Sequence, residues 1–178
     1  MDKKHYAVIE KYALPFVQLV FEKGQQQDFF DKLSQIKAVF VETNLADFLS
    51  HIGVDDGEKE KALRLFQNSD SQLIDNFIEV VILNHRADLF YDMLVEIQHQ
   101  IEKESNEFEV TVKSVQPLTE SQKDRLKPIL EQKMGLKVRS FKQELDTSLI
   151  GGFVISANNK TIDASIKRQL QLVKENLK

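Results

Sequence analysis

The sequence predicts an α+β chain with its helices first. Apolar residues recur at helical spacing in six successive segments up to Lys103, and from Phe108 the period switches to strict alternation. The segments after that switch follow the order β-α-β-β-α. The expected architecture is a six-helix bundle over residues 1–104 followed by a small α/β domain over residues 105–178. The boundary falls at the polar stretch Glu102-Lys103-Glu104-Ser105-Asn106-Glu107.

From Tyr6 to Phe21 the first segment places Ile9, Tyr12, Ala13, Phe16, Leu19 and Val20 on one face, and Gly24 ends it. Pro15 falls inside. An interior proline leaves the Lys11 carbonyl without its helical partner at a cost of about 3 kcal/mol, which predicts either a kink or a helix that starts near Leu14. A second helix presents Phe29, Leu33, Ile36 and Phe40, with Phe30 and Val39 widening the face, and a short third runs from Leu45 to Ile52 and stops at Gly53. Asp55, Asp56 and Glu58 complement the amino-terminal dipole of a fourth helix, whose inner residues are Leu63 and Phe66. The fifth, residues 70–84, carries two adjacent apolar stripes: Leu73, Phe77 and Val80, and beside them Ile74, Ile78 and Val81 with Ile82. So wide an arc means either a central helix buried on all sides or one whose outer edge lines a groove. A sixth helix, Ala87 to Lys103, faces the core with Phe90, Met93, Leu94, Ile97 and Ile101.

In the second half, Phe108, Val110 and Val112 alternate with Glu109, Thr111 and Lys113, as in a strand with one wet face. Thr119-Glu120-Ser121-Gln122 has capping-box spacing and opens a helix with Leu126, Ile129, Leu130 and Met134 on its apolar face and Pro128 inside. Leu136 to Leu145 reads as the next strand. The segment after Gly151 and Gly152 reads as a buried strand, Asn158-Asn159 tolerate the positive φ of a tight hairpin, and Lys160 to Ile162 returns. Asp163 or Ser165 caps a last helix with Ile166, Leu170, Val173 and Leu177 on one face. Two glycines ahead of a helix invite a phosphate-loop reading, but these precede the strand core. They read as a packing device, either a close approach of another group or a bulge.

A chain of 178 residues with 42% hydrophobic and 29% charged residues has a soluble globular composition. It holds no run of about 18 apolar residues. Met1-Asp2-Lys3-Lys4-His5-Tyr6 leads into an amphipathic pattern and not into a signal-peptide core, so a cytoplasmic location is expected. Zero cysteines remove disulfides, thiolates and sulfur-based zinc sites together. His5, His51, His85 and His99 lack the spacing of a zinc hydrolase, and Asp55-Asp56-Gly57 lacks the ligand spacing of a calcium loop. No catalytic group, cofactor or metal site is expected. Residues 1–104 hold 11 basic against 19 acidic residues, net −8, while residues 105–178 hold 13 against 9, net +4. Either the halves face different partners or their solvated faces differ in composition. Lys137, Arg139, Lys142, Lys167, Arg168 and Lys174 could share a basic face. With only Phe108, Phe141 and Phe153 as aromatics there, nucleic acid is not expected, and an acidic partner helix fits such a face equally well.

The order Asp146, Leu149-Ile150-Gly151-Gly152, apolar strand, polar turn, Asp163, Ser165, Arg168 and Leu170 resembles the C-terminal signature of the delta subunits of bacterial rotary ATP synthases. The mitochondrial counterpart of that family is the oligomycin-sensitivity-conferring protein. Tyr12-Ala13-Leu14-Pro15-Phe16 follows the family's first-helix pattern except at the proline. Asn84-His85-Arg86-Ala87-Asp88-Leu89 is similar to its Arg-centred turn, and Ser114-Val115-Gln116-Pro117-Leu118-Thr119 to the start of its next helix. Asn158-Asn159 stand where the family often has Gly-Asp, and Ala164 where it has Gly.

The resemblance implies a non-catalytic stator subunit that links the catalytic head to the peripheral stalk and reaches the membrane only through the complex, at its cytoplasmic face. It implies that N-terminal helices of alpha subunits dock between helices one and five, at Tyr12, Pro15, Asn76 and Val80 with Phe16 and Leu19 beside them, each partly exposed. It also implies that the C-terminal domain holds the C-terminal ends of the b subunits. The expected contacts are the apolar edge near Gly151 and Gly152 and the basic side of the last helix, Lys167, Arg168 and Lys174. A cytoplasmic adaptor or regulatory binding module unrelated to ATP synthesis is the competing assignment.

Overall fold

Pro15 does not break the first helix: α1 runs over Lys3–Glu22 in the computed structural model, which describes residues 3–67 and 69–176. The expectation of a start near Leu14 is overturned. Pro15 and Lys11 both lie on the exposed side of α1, where water can serve the carbonyl that the missing N–H leaves open. The chain is a mixture of helix and sheet and divides into two units, Met1–Ile101 and Glu102–Lys178. Among the described residues no helix is long and apolar enough to cross a membrane.

After α1 come α2 (Gln26–Thr43), α3 (Leu45–Ser50), α4 (Asp56–Arg64), α5 (Gln72–Leu83), a 3-10 turn (Ala87–Leu89) and α6 (Phe90–Ser105). Their apolar faces close on one core that includes Ile9, Leu33, Leu63, Ile78, Met93 and Ile97. A chain of aromatic rings runs through it. Phe29 meets Phe16 at 5.1 Å, Phe16 meets Phe77 at 4.6 Å, Phe77 meets Phe90 at 6.0 Å and Phe90 meets Phe40 at 5.7 Å. Phe66, beyond the end of α4, packs on Phe40 at 5.3 Å.

Two expectations need correction here. Val39 is exposed and does not widen the inner face of α2. α3 stops at Ser50, before Ile52, because His51 turns extended and its Nδ1 accepts a 3.0 Å hydrogen bond from the Gly53 N–H, which leaves Ile52 fully exposed. Of the two alternatives for α5, the structure adopts the open one: Leu73, Ile74, Phe77, Ile78, Val81 and Ile82 are buried, while Asn76, Val80 and Leu83 are exposed. Arg64 joins α4 to α5 through Glu79, 2.9 Å away, and also binds Glu60 at 2.7 Å.

The second unit comprises β1 (Glu107–Ser114), α7 (Glu120–Met134), β2 (Lys137–Leu145), β3 (Phe153–Ala157), β4 (Lys160–Asp163) and α8 (Ile166–Asn176). The sheet order is β2-β1-β3-β4, with β1 and β2 parallel and the other pairs antiparallel. Phe108, Val110, Val112, Leu130, Met134 and Ile155 form its core. Thr119 caps α7 reciprocally with Gln122, as the capping-box spacing requires. Ile129 is exposed, so the buried face of α7 is narrower than expected: Leu130 and Met134 are buried and Leu126 half-buried. In β3 only Ile155 and Ala157 are buried, so the strand is not buried throughout. Asn158 and Asn159 both have positive φ, 46° and 57°, and make the tight hairpin.

The glycine pair admits a close approach and is not a bulge; the register shift in this sheet lies between Phe108 and Glu109. A Cβ on Gly152, at φ +79°, would sit 2.4 Å from the Ala164 carbonyl oxygen, and one on Gly151 would sit 2.7 Å from Ile166 Cδ1. Close packing lets the Ile166 N–H donate to the Gly151 carbonyl and the Ala164 N–H to that of Phe153, both at 3.0 Å. Of the two expected caps, Ser165 serves α8, its Oγ accepting from the Arg168 N–H at 3.2 Å. Asp163 instead accepts from the Ser165 N–H at 2.9 Å, and its bonds from Ser165 hold its carboxyl below the ordinary range. Ile166, Leu170 and Val173 on α8 are exposed, and Leu177 lies outside the described residues.

Substituting Gly152→Ala combines left-handed strain with a backbone clash and is expected to destabilise the second unit by about 2–4 kcal/mol. Gly135, also at positive φ (67°), has nothing within 4 Å of an added Cβ, so Gly135→Ala is expected to cost only about 1–2 kcal/mol. Chemical denaturation of both variants tests the difference. A second expectation concerns acid. The Arg64 guanidinium, and then the Gln67 amide, hold the Glu79 carboxyl below its ordinary value. Its contribution to stability is therefore complete above the unfolded carboxylate value of about 4.3 and is lost as pH falls through the lower folded value. In Arg64→Gln, an NMR titration should show Glu79 moving up toward that ordinary value, and the stability difference from wild type should shrink on acidification.

Candidate functional site

The open edge of α5 and the outer side of α1 enclose a groove of about 600 Å³. Each helix reaches it by its own spacing: α1 supplies Val8, Lys11, Tyr12, Pro15, Phe16 and Leu19, and α5 supplies Leu73, Asn76, Phe77 and Val80. Asn84 and Arg86, from the turn after α5, complete the lining. The Asn84 side chain donates to the Val80 carbonyl at 2.7 Å and so closes the last turn of α5. All six positions expected from sequence, Tyr12, Pro15, Phe16, Leu19, Asn76 and Val80, line this one groove.

They do so in two ways. Val80 is 45% exposed, Leu19, Pro15 and Asn76 are also exposed, and Tyr12 is half-buried. Phe16 departs from the expectation of partial exposure. It is only 8% exposed, because its ring is held between Phe29 and Phe77, and it belongs to the floor of the groove and to the core at once. Val8, Lys11, Leu73, Phe77, Asn84 and Arg86 line the groove as well, although the sequence marks Leu73 and Phe77 only as part of an apolar stripe and Asn84 and Arg86 only as part of the Arg-centred turn. The one-turn spacing from Tyr12 back to Val8, and from Val80 on to Asn84, is the signal that could have found two of them.

In the second unit, Gly151 and Gly152 border a shallow depression of about 500 Å³ with Pro117, Leu118, Ile150 and Phe153. The expectation of a single basic side on α8 does not hold. At about 100° per residue, Lys167 and Lys174 share a side, while Arg168 is rotated away by one full step. Arg168 is half-buried, whereas both lysines are exposed. The lysines flank an apolar strip, Ile166, Leu170 and Val173, of which Leu170 is 62% exposed.

Burial separates framework from surface, and stability can be used to read the separation. Phe16→Ala should cost about 3–5 kcal/mol through the cavity it leaves. Val80→Asp should change stability by no more than about 1 kcal/mol, since it alters an exposed position. Urea denaturation followed by circular dichroism checks both.

Residues 8–177 match the family described as ATP synthase delta (OSCP) subunit. Along its full 178 residues, and the full length of each relative, the chain is 79% identical to ATP synthase subunit delta of Streptococcus sanguinis strain SK36. It is 64% identical to the subunit of that name from Streptococcus gordonii and 58% to that from Streptococcus pneumoniae strain Hungary19A-6, again over 178 residues and the whole of each chain. The fold is similar to that of a chain from the Toxoplasma gondii mitochondrial ATP synthase hexamer, with a TM-score of 0.66 and 14% identity over 95% of this chain and 96% of the other. With a family match that spans nearly every residue and relatives this similar along their whole length, the chain belongs to the ATP synthase delta (OSCP) subunit family.

Proposed function

We propose that the chain is a non-catalytic tie in the stator of a rotary ATP synthase, with its two units gripping different partners. What carries the proposal is that, among the described residues, each unit exposes a separate apolar surface: the α1/α5 groove in one and the α8 strip in the other. Rotor torque would turn the catalytic head unless something held it to the membrane sector. A chain that binds the head at one end and the stalk at the other supplies that restraint.

In this proposal residues 1–104 act as a six-helix bundle whose groove receives an N-terminal helix of an alpha subunit. An amphipathic helix laid in a groove is held by apolar anchors, and Tyr12, Pro15, Phe16, Leu19, Asn76 and Val80 offer them a floor and two walls. Residues 105–178 hold the C-terminal end of a b subunit through Ile166, Leu170 and Val173, with Lys167 and Lys174 beside them. Gly151 and Gly152 contribute by seating α8 and presenting Ile150. Joining two grips in one chain makes the second contact effectively intramolecular, which raises avidity without further contacts. The subunit is then peripheral, at the cytoplasmic face of the membrane, and carries no nucleotide chemistry.

Binding of two peptides to the full-length chain tests this division, one copied from the alpha N-terminus and one from the end of b. Val80→Asp should weaken the first about tenfold or more and leave the second unchanged, and Leu170→Glu should do the reverse. If neither substitution moves either affinity, the surfaces lie elsewhere; if both act on the same peptide, the division of roles is wrong.

A further inference from the structure

The groove departs from its unit in charge. Residues 1–104 carry 19 acidic against 11 basic residues, yet the groove lining contains no carboxylate and two cations, Lys11 and Arg86. Both cations are exposed, and neither has a salt-bridge partner among the described residues. Arg86 also borders a smaller recess of about 240 Å³ that Asp56, Glu60 and Asp88 line, but it pairs with none of them; Asp56 faces His85 at 3.9 Å and Glu60 binds Arg64. Arg64, by contrast, is held between Glu60 and Glu79, and Lys32 pairs with Asp28. Two free cations beside an apolar trough, in surroundings of opposite net charge, amount to a complementary field aimed at what enters the trough.

We infer that the groove selects its helix by charge as well as by apolar fit: the occupant carries carboxylates flanking its apolar stripe, and Lys11 and Arg86 receive them. This rests on the docking role proposed above and deepens it. The apolar floor supplies adhesion, while the cations set which helices are admitted and speed their encounter, so their effect is greatest at low salt. Val80 and Phe16 cannot make that distinction, since an apolar surface accepts any apolar stripe.

The test uses the full-length chain and three designed amphipathic peptides that share one apolar stripe and differ only in flanking residues, which are Asp and Glu, Asn and Gln, or Lys and Arg. The acidic peptide should bind about tenfold more tightly than the basic one in dilute buffer, with the difference shrinking toward parity as ionic strength rises to about 1 M. The double variant Lys11→Glu with Arg86→Glu should reverse the order of preference. Because both positions are exposed, the variant is expected to fold, and circular dichroism with retained affinity for the neutral peptide verifies this. Equal affinity for the three peptides, or an unchanged order in the double variant, overturns the inference. The alpha N-terminal peptide is measured alongside. Its failure to bind while the acidic preference persists would remove alpha as the partner and leave the charge selection standing.

Discussion

The first unit depends on the contact between Phe16 and Phe77, whose rings lie 4.6 Å apart. On one side the pair continues the ring chain through Phe29, Phe90 and Phe40 that fixes the helices around their core. On the other it forms the floor of the groove between α1 and α5. Aromatic rings suit both tasks, since each buries a large area at the cost of few rotatable bonds. The same residues that stabilise the core therefore hold the two walls of the groove at a fixed separation. A groove built this way is present before any helix arrives, so binding need not spend free energy on forming it.

In the second unit four residues of the C-terminal signature, Asp146, Gly152, Asp163 and Ser165, are structural devices, whereas Ile150 and Leu170 of the same signature are exposed. Asp146 accepts from the Ser148 N–H and hydroxyl, Gly152 allows the Ala164 carbonyl to approach, Asp163 orders Ser165, and Ser165 caps α8. Each places one stretch of backbone, and together they decide where α8 begins and how it leaves the sheet. Conversely, the residues that α8 exposes follow no unusual pattern, because an exposed apolar strip and a buried one look alike in sequence.

That ambiguity marks how far the sequence could be read. The change of period at Phe108, the capping box at Thr119, the Asn158-Asn159 hairpin and the inner face of α6 are local signals, written in residues that lie close together, and the structure follows them. Val39 and Ile129 mislead because helical spacing shows which residues could face inward, and only the neighbouring elements determine how wide the buried arc is, whereas Ile52 misleads because α3 ends at Ser50, two residues before it. Phe16 misleads in the opposite sense: lying next to the groove in sequence, it is drawn under the groove by rings from α2 and α5. The positions gathered around the α1/α5 groove came from family resemblance and not from periodicity, which left α5 open to two descriptions. Nothing in the sequence marks Lys11 and Arg86 as groove cations, although Arg86 centres the turn after α5, because a charged residue gives no sign in sequence of whether it is already paired.

The junction of α8 with the sheet also has a mechanical side. α8 follows edge strand β4, and backbone hydrogen bonds from Ile166 to Gly151 and from Ala164 to Phe153 also tie its start to the stretch that opens β3, an interior strand flanked by β1 and β4. A pull on α8 therefore reaches the sheet at two strands at once, the edge strand β4 through the chain itself and the interior strand β3 through these hydrogen bonds. The part of the force carried along β3 loads its ladders to β1 and β4 in shear, so that many hydrogen bonds stretch together, whereas a helix hung from an edge strand alone could be peeled away one bond at a time.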